Sequence, residues 1–494
     1  MGIIQLLIYF AIAGLLLTLI TRYITKQHGT WLMSFLQHFA GVWFLVSGFV
    51  KAVDPLGTAY KMEQYFAEFE STFQHTWVSF ITPMFPLLGK YSISFSVFMI
   101  IIEMVLGILL ITGGWKKFTG WLFLIIVVFF TILTGFTFLT GYVPEGANFF
   151  QFSKWVAYDA TRMKVTDCGC FGDFLKLEPK VSFMKDLFLL IPSVLFIIRR
   201  SQMHTLINDK FTKWYVGGIT ALLLFYCLQN FYFDIPTIDF RPFKEGVNVR
   251  ETKLAEEKAA SEVQITAYKL KNLKDGKIVE IPTAQYLAEM TKYPKEEWEV
   301  VDQVKSELAV PHTKISEFSF NNTEGEDIAE SLLAEKSYSI MISAYKLGIK
   351  EINEKTVEVP DSIFSADTIR VGKDSIAVVK RFEKIEMKKT DQRSFVWDED
   401  YLNIYKNIIV PFVKEAEKNG IKCYMVCNSY PDAIKDFRKQ TGFDADIYTG
   451  DDLLIKTIIR SNPGITLWKD GIILKHFHYK KLPEFNQFKQ AYIK

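Results

Sequence analysis

Two cysteines one residue apart, Cys168 and Cys170, stand in the run Asp167-Cys168-Gly169-Cys170-Phe171-Gly172-Asp173, a polar loop between two long apolar segments. A bent backbone brings alternate residues within the roughly 4.4–6.8 Å between Cα atoms that a disulfide needs, and Gly169 lacks the Cβ that would resist the bend. The pair can therefore open and close as a strained, reducible bond. The same spacing also suits a tight glycine turn whose cysteines are small apolar fillers. Metal binding fits less well, because two thiolates with no His or further Cys nearby do not complete a tetrahedral site. Asp167 and Asp173 work against a reactive thiolate, since negative neighbours raise a cysteine pKa; Lys164 and Lys176 offset them only where folding brings them close.

A second chemical position is Glu103, near the middle of an apolar run. An ionised carboxylate there is costly, so Glu103 is expected to be protonated, paired or turned toward a polar cavity. Lys51, beside Asp54, is its candidate partner, although a distant one. Thr131, Thr134, Thr137 and Thr140 recur at every third residue of another apolar run, a pattern that more often bonds its own helix backbone or packs on a neighbour than handles substrate.

The elements that position these residues are membrane helices. The chain has 494 residues, 49% of them hydrophobic, and its apolar residues crowd into the first half while Lys, Glu and Asp crowd the second. Six runs are long and apolar enough to span a bilayer, at residues 3–24, 31–50, 92–112, 118–140, 183–198 and 214–233. The fifth is short and carries Pro192. The first has neither a basic leader nor a small-residue cleavage site, and is expected to be retained. Basic residues mark alternate loops: Arg22 and Lys26, then Lys116 and Lys117, then Arg199, Arg200, Lys210 and Lys213, with Asp209 the one acid among them. By the positive-inside rule these loops face the cytoplasm. The Cys168/Cys170 loop and everything after Phe233 are then periplasmic, where disulfides persist. Between the second and third spans, Met62, Phe66, Phe69, Phe73, Trp77 and Phe80 recur at helical spacing, which predicts an amphipathic helix lying in the interface or capping the bundle. A net charge of +2 gives no argument for nucleic acid, and five cysteines are too few for a disulfide scaffold.

Ser47-Gly48-Phe49-Val50-Lys51-Ala52-Val53-Asp54-Pro55-Leu56-Gly57, Glu103 followed by Leu106-Gly107, and the Asp167 to Asp173 run together resemble the DoxX/MauE family of redox-associated membrane proteins, over about residues 31–200. The resemblance implies a four-helix membrane bundle with a cysteine pair near the periplasmic surface and a role in thiol or quinone redox chemistry. It would make Cys168, Cys170, Glu103 and Lys51 the catalytic set and a membrane quinone the cofactor. Membrane thiol oxidases are similar by analogy, but carry Cys-x-x-Cys where this chain has Cys-x-Cys.

Beyond the last span, residues 234–262 read as a linker: Pro236 and Pro242 hold an extended exit, and a Lys, Glu and Ala-rich stretch follows as a solvated helix. A small α+β module is expected at residues 263–310, built on a hairpin at Asp275-Gly276. Residues 315–320 and 323–328 read as a second hairpin, followed by a buried strand at 339–344, a helix at 400–419, a strand at 421–426, and a final strand pair and helix. Residues 311–494 resemble a thioredoxin-like fold of the peroxiredoxin and TlpA type, chiefly through Asn462-Pro463-Gly464, which matches that fold's cis-proline loop, and the Lys469-Asp470-Gly471 hairpin. The Cys-x-x-Cys of thioredoxins is missing: Ala344-Tyr345-Lys346-Leu347 stands in its place, with an insertion over about residues 345–398. Cys423 and Cys427 do not replace it, because four residues of extended strand separate them by roughly 13 Å. They read as core thiols, and Cys227 as a membrane residue. Asp451-Asp452 favour the N-terminus of the helix they precede.

The fold expected is thus a multi-domain membrane protein: a bundle of about six spans, a small α+β module and a thioredoxin-like α/β domain. Three functions follow from different features. One is a membrane thiol-disulfide oxidoreductase of the bacterial inner membrane, exchanging electrons with a quinone or periplasmic thiol proteins. Another is a non-catalytic accessory or chaperone subunit of a translocon or envelope-assembly complex, binding secreted polypeptides beside Asn462, Pro463 and Gly464 by strand addition. The third, a transport path through Glu103 and the threonine stripe, lacks an evident inverted repeat.

Overall fold

The computed structural model describes residues 2–23, 29–163, 165, 169–306, 308–370 and 376–493, with backbone alone at 357–359, 361–370, 376–381 and 388–392. The chain forms two compact units, residues 1–244 and 245–494.

In the first unit the helices are α1 (Ile3–Tyr23), α2 (Trp31–Val53), α3 (Pro55–Phe73), α4 (Met84–Lys90), α5 (Ser92–Thr112), α6 (Lys116–Thr140), α7 (Pro179–Ile198) and α8 (Asp209–Leu228), the last continued by a π turn over Gln229–Phe233. Six of them, α1, α2, α5, α6, α7 and α8, are long and apolar enough to cross a membrane, as the apolar runs predicted. α7 begins at Pro179 and continues through Pro192, so the short fifth run becomes a full span. α2 starts under the cap of Thr30 and ends at Asp54, whose carboxylate then accepts from Gly57 N at 2.9 Å and caps α3.

The amphipathic helix is shorter than its sequence pattern. α3 stops at Phe73, and Trp77 and Phe80 lie beyond it, each 76% exposed. Its apolar face does cap the bundle, with Phe69 against Phe136 of α6 and Phe66 against Phe95 of α5. The bundle's tightest seam joins α2 to α5. A Cβ on Gly41 would lie 2.9 Å from Gly107 O, one on Gly107 2.8 Å from Gly41 O, and one on Gly48 2.5 Å from Met104 Cγ. Small residues let the two backbones touch, as helices packed in lipid commonly do.

The second unit opens with α9 (Val249–Ser261), then β1 (Ile265–Asn272), β2 (Ile278–Pro282), α10 (Thr283–Ala288) and β3 (Trp298–Lys305), whose strands form one antiparallel sheet in the order β2-β1-β3. There follow α11 (Ala329–Leu333), β4 (Tyr338–Ala344), β5 (Ile349–Arg370), β6 (Ile376–Trp397), α12 (Glu399–Ile404), α13 (Val410–Lys418), β7 (Lys422–Cys427), α14 (Pro431–Thr441), β8 (Asp446–Thr449), α15 (Asp452–Ile458), β9 (Gly464–Lys469), β10 (Ile472–His478) and α16 (Phe485–Tyr492). A five-stranded sheet has the order β10-β9-β4-β7-β8, with β4, β7 and β8 parallel and β9 and β10 antiparallel. β4 is buried at every position after Tyr338, Ser339 and Ser343 included, as suits a central strand covered on both faces.

Two readings of this half are corrected. The Lys, Glu and Ala-rich stretch is a helix solvated on most of its surface but not all round: Val249, Glu256 and Ala259 of α9 form a buried face, and Glu256 accepts from Thr313 N at 3.0 Å and Thr313 Oγ1 at 2.6 Å. Residues 315–328 make no hairpin of strands; a lone bridge joins Asn321 to Asp327. Their alternating apolar residues arise because Ile315, Phe318 and Phe320 plug the core from a loop. The insertion at 345–398 is a two-stranded ribbon, β5 and β6, each 22 residues long.

Candidate functional site

α2 carries Ser47 and Lys51 one turn apart, so both point to the same neighbour. That neighbour is Glu103 on α5. Lys51 Nζ donates to Glu103 Oε1 at 2.6 Å with the two side chains 5% and 2% exposed, which makes the partner expected to be distant a direct one. α2 runs on to Val53, and the glycine seam holds it against α5, so Lys51 is inside the bundle instead of at its rim. Ser47 Oγ lies 3.2 Å from Glu103 Oε2 and 2.9 Å from the carbonyl oxygen of Cys170. One hydroxyl proton thus serves a membrane carboxylate and the cysteine loop.

A second ion pair closes the other side. Lys185 and Asp186 lie in the first half of α7, Asp186 buried and Lys185 nearly so, and are joined directly, while Thr134 of α6 donates to Asp186 Oδ2 at 2.9 Å. Lys51 Nζ sits 4.9 Å from the Phe130 ring centre and Lys185 Nζ 5.9 Å from that of Trp43. Two cations and two carboxylates cancel, and buried ions of this kind persist only when so paired. With Cys170 they line a cavity of about 20 Å³, room for about one water.

The cysteine loop is anchored by Phe171, fully buried, and by its bridge to Leu175. Gly169 has φ +51°, the left-handed region that favours glycine. Cys170 is half-buried and free, and burial pushes its thiol pKa up; Lys185 is the strongest of the charges that pull it back. Cys168 lies outside the described residues, as do Asp167 and Lys164. Lys176 lies 3.8 Å from Asp173. Among the described residues the cations that act on Cys170 are Lys185 and Lys51.

Lys185 and Asp186 were missed in the sequence. The signal was present, since charged residues inside an apolar run are what marked Glu103, but starting the fifth span at residue 183 made them look like its polar edge. The threonine stripe behaves as read: Thr131 donates to Val127 O at 2.7 Å, Thr137 to Leu133 O at 3.0 Å and Thr140 to Thr137 O at 2.6 Å, leaving Thr134 as the member that reaches another helix.

In the second unit the Asn462–Pro463 peptide is cis. Asn462 Nδ2 donates to Lys346 O at 2.7 Å, so this loop lies beside residues 345–348. Gly464 starts β9, which is paired on both sides by β10 and β4. The outer side of β10 is bonded at Ile473, which accepts from Gly246 N and donates to Val247 O, and that of β8 by Asn321 at Thr449. Cys423 and Cys427 are buried in the core, and burial raises both thiols to about 12. Cys227 is buried in α8. Among the described residues no group of three His, Cys, Asp or Glu could hold a metal.

Comparison with family models, curated proteins and solved structures finds no match to this chain.

Proposed function

We propose that the chain is a thiol-disulfide redox protein of the bacterial inner membrane, with Cys168 and Cys170 as its dithiol on the periplasmic side. The observation that carries this reading is the convergence of Cys170 with Ser47, Lys51, Glu103, Lys185 and Asp186 around one small cavity. Oxidation of two thiols to a disulfide releases two electrons and two protons. A quinone takes up both to become a quinol, or a protein disulfide takes them and leaves as a dithiol. Lys185 and Lys51 would stabilise the Cys170 thiolate as it forms, offsetting the burial that opposes it. Glu103 and Asp186 are the bases within the same enclosure, and Ser47 links Glu103 to the loop backbone. A cavity with room for about one water cannot admit a quinone ring, so the oxidant would meet the cysteine pair from outside that cavity. The convergence of the three segments that resemble DoxX/MauE proteins supports the same chemistry.

A second reading places polypeptide binding in residues 245–494, as an accessory or chaperone subunit of an export or envelope-assembly complex. The five-strand order, the cis Asn462–Pro463 peptide and the cysteine-free stretch beside it favour a thioredoxin-like domain without exchange chemistry. Backbone pairing at the start of β10 and at the end of β8 disfavours strand addition at those places on the sheet.

Mass-spectrometric cysteine trapping in cells separates the two. The redox reading predicts a bridged Cys168–Cys170 fraction that disappears under reductant and returns after its removal. A pair that stays reduced throughout, in a protein whose loss still disturbs the envelope, would favour the accessory reading.

A further inference from the structure

A large, open cavity of the first unit lies at the end of the bundle opposite the cysteine loop. About 1170 Å³ in volume, it opens between the start of α6, the end of α7 and the start of α8. Lys116, Lys117 and Arg200 line it, against one carboxylate, Asp209, whose Oδ1 accepts from Trp115 N at 3.1 Å. The floor is built, not incidental. Leu206 N donates to Thr112 O at 2.8 Å, and Lys116 is tied to the carbonyl of Met203. Gly113 takes φ +68°, and a Cβ on it would fall 2.0 Å from His204 O, so two loops are locked together beneath the cations. The wall is apolar: Phe118 and Trp121, 54% and 50% exposed, stand on the first turns of a span.

We propose that this pocket binds the phosphodiester headgroup of an anionic phospholipid. Three cations at the mouth of a membrane helix supply the phosphate's counter-charge, and grooves of this kind between spans recognise anionic headgroups. Exposed aromatic rings on the first turns of a span favour the level where headgroup meets acyl chain. Those rings choose between the two sources of a phosphate. A soluble anion would leave the rings and most of the volume unused, whereas a lipid lays its chains along Phe118 and Trp121. The site is independent of the thiol chemistry.

Native mass spectrometry of the full chain, released from micelles after mixing with phosphatidylglycerol or phosphatidylcholine, tests this. The wild type is expected to retain one phosphatidylglycerol and to lose phosphatidylcholine. Lys117 and Arg200 are exposed, so the Lys117→Gln/Arg200→Gln variant should fold, checked by circular dichroism, and retain phosphatidylglycerol roughly tenfold less. Lys210→Gln/Lys213→Gln removes the same charge from the same end outside the pocket and should change nothing; Trp121→Ala should weaken retention with all charges present. Equal losses in both double variants would reduce the effect to general surface charge and overturn the site. Retention unchanged in Lys117→Gln/Arg200→Gln and in Trp121→Ala would overturn it too, as would displacement of the lipid by millimolar inorganic phosphate, which would mark a soluble-anion site.

Discussion

A carboxylate held among apolar helices needs a cation against it, and Lys51 meets Glu103 at 2.6 Å. Breaking such a pair from one side leaves the other charge stranded, at about 3–5 kcal/mol, whereas replacing both partners by apolar residues is often close to neutral. Lys51→Met is therefore expected to destabilise the bundle by about that amount, and Lys51→Met/Glu103→Leu by clearly less, measured as denaturant midpoints of the purified chain in micelles. Equal losses would mean that the two residues are not coupled. Glu103 was legible because a carboxylate in an apolar run stands out. Its bond to Lys51 was not, because a one-dimensional pattern sets them 52 positions apart and says nothing of which helix faces meet. Lys185 and Asp186 were hidden by a span boundary placed a few residues late.

At the scale of elements, the seam of α2 and α5 is what brings Lys51 to Glu103. Gly107→Ala pushes a Cβ to 2.8 Å from the backbone oxygen of Gly41, which cannot swing aside as a side chain would. The variant is expected to lose stability by a few kcal/mol, as overpacked sites do, and to expose Glu103 to carbodiimide modification. Gly217→Ala on α8, where a Cβ meets nothing within 4 Å, is the matched control and should be neutral or slightly stabilising. An unchanged Gly107→Ala protein would show that the seam is loose. The spans themselves could be read from apolar length, because lipid leaves a helix no other way to satisfy its backbone. Short apolar patterns were less reliable. Residues 315–320 alternate like a strand, yet Phe318 and Phe320 are buried from a loop, and α9 looks solvated although Glu256 is buried against Thr313. Alternation and charge density report which residues want burial, not which partner arrives to bury them.

For the whole molecule, charge in the short loops predicts which unit lies on which side of the bilayer. A membrane-impermeant thiol reagent applied to spheroplasts is expected to label a cysteine placed at Ser261 and to spare one at Gln202; the reverse would put the Cys168/Cys170 loop in a reducing compartment and remove the basis for a lasting disulfide. Fold and proposed chemistry meet in one claim, that the charged cavity tunes a dithiol on the adjoining loop. Equilibrium titration of the purified full chain in glutathione buffers, with Cys168 and Cys170 read by alkylation and mass spectrometry, tests it most directly. The account predicts a single two-electron transition in the wild type. In Lys185→Met, titrated at a pH high enough to ionise Cys170, the reduction potential should fall, because loss of the nearest cation removes stabilisation from the thiolate form of the reduced pair and leaves the disulfide favoured. A pair that stays reduced at every glutathione ratio, or a midpoint that ignores Lys185→Met, Lys51→Met and Glu103→Gln alike, would contradict it.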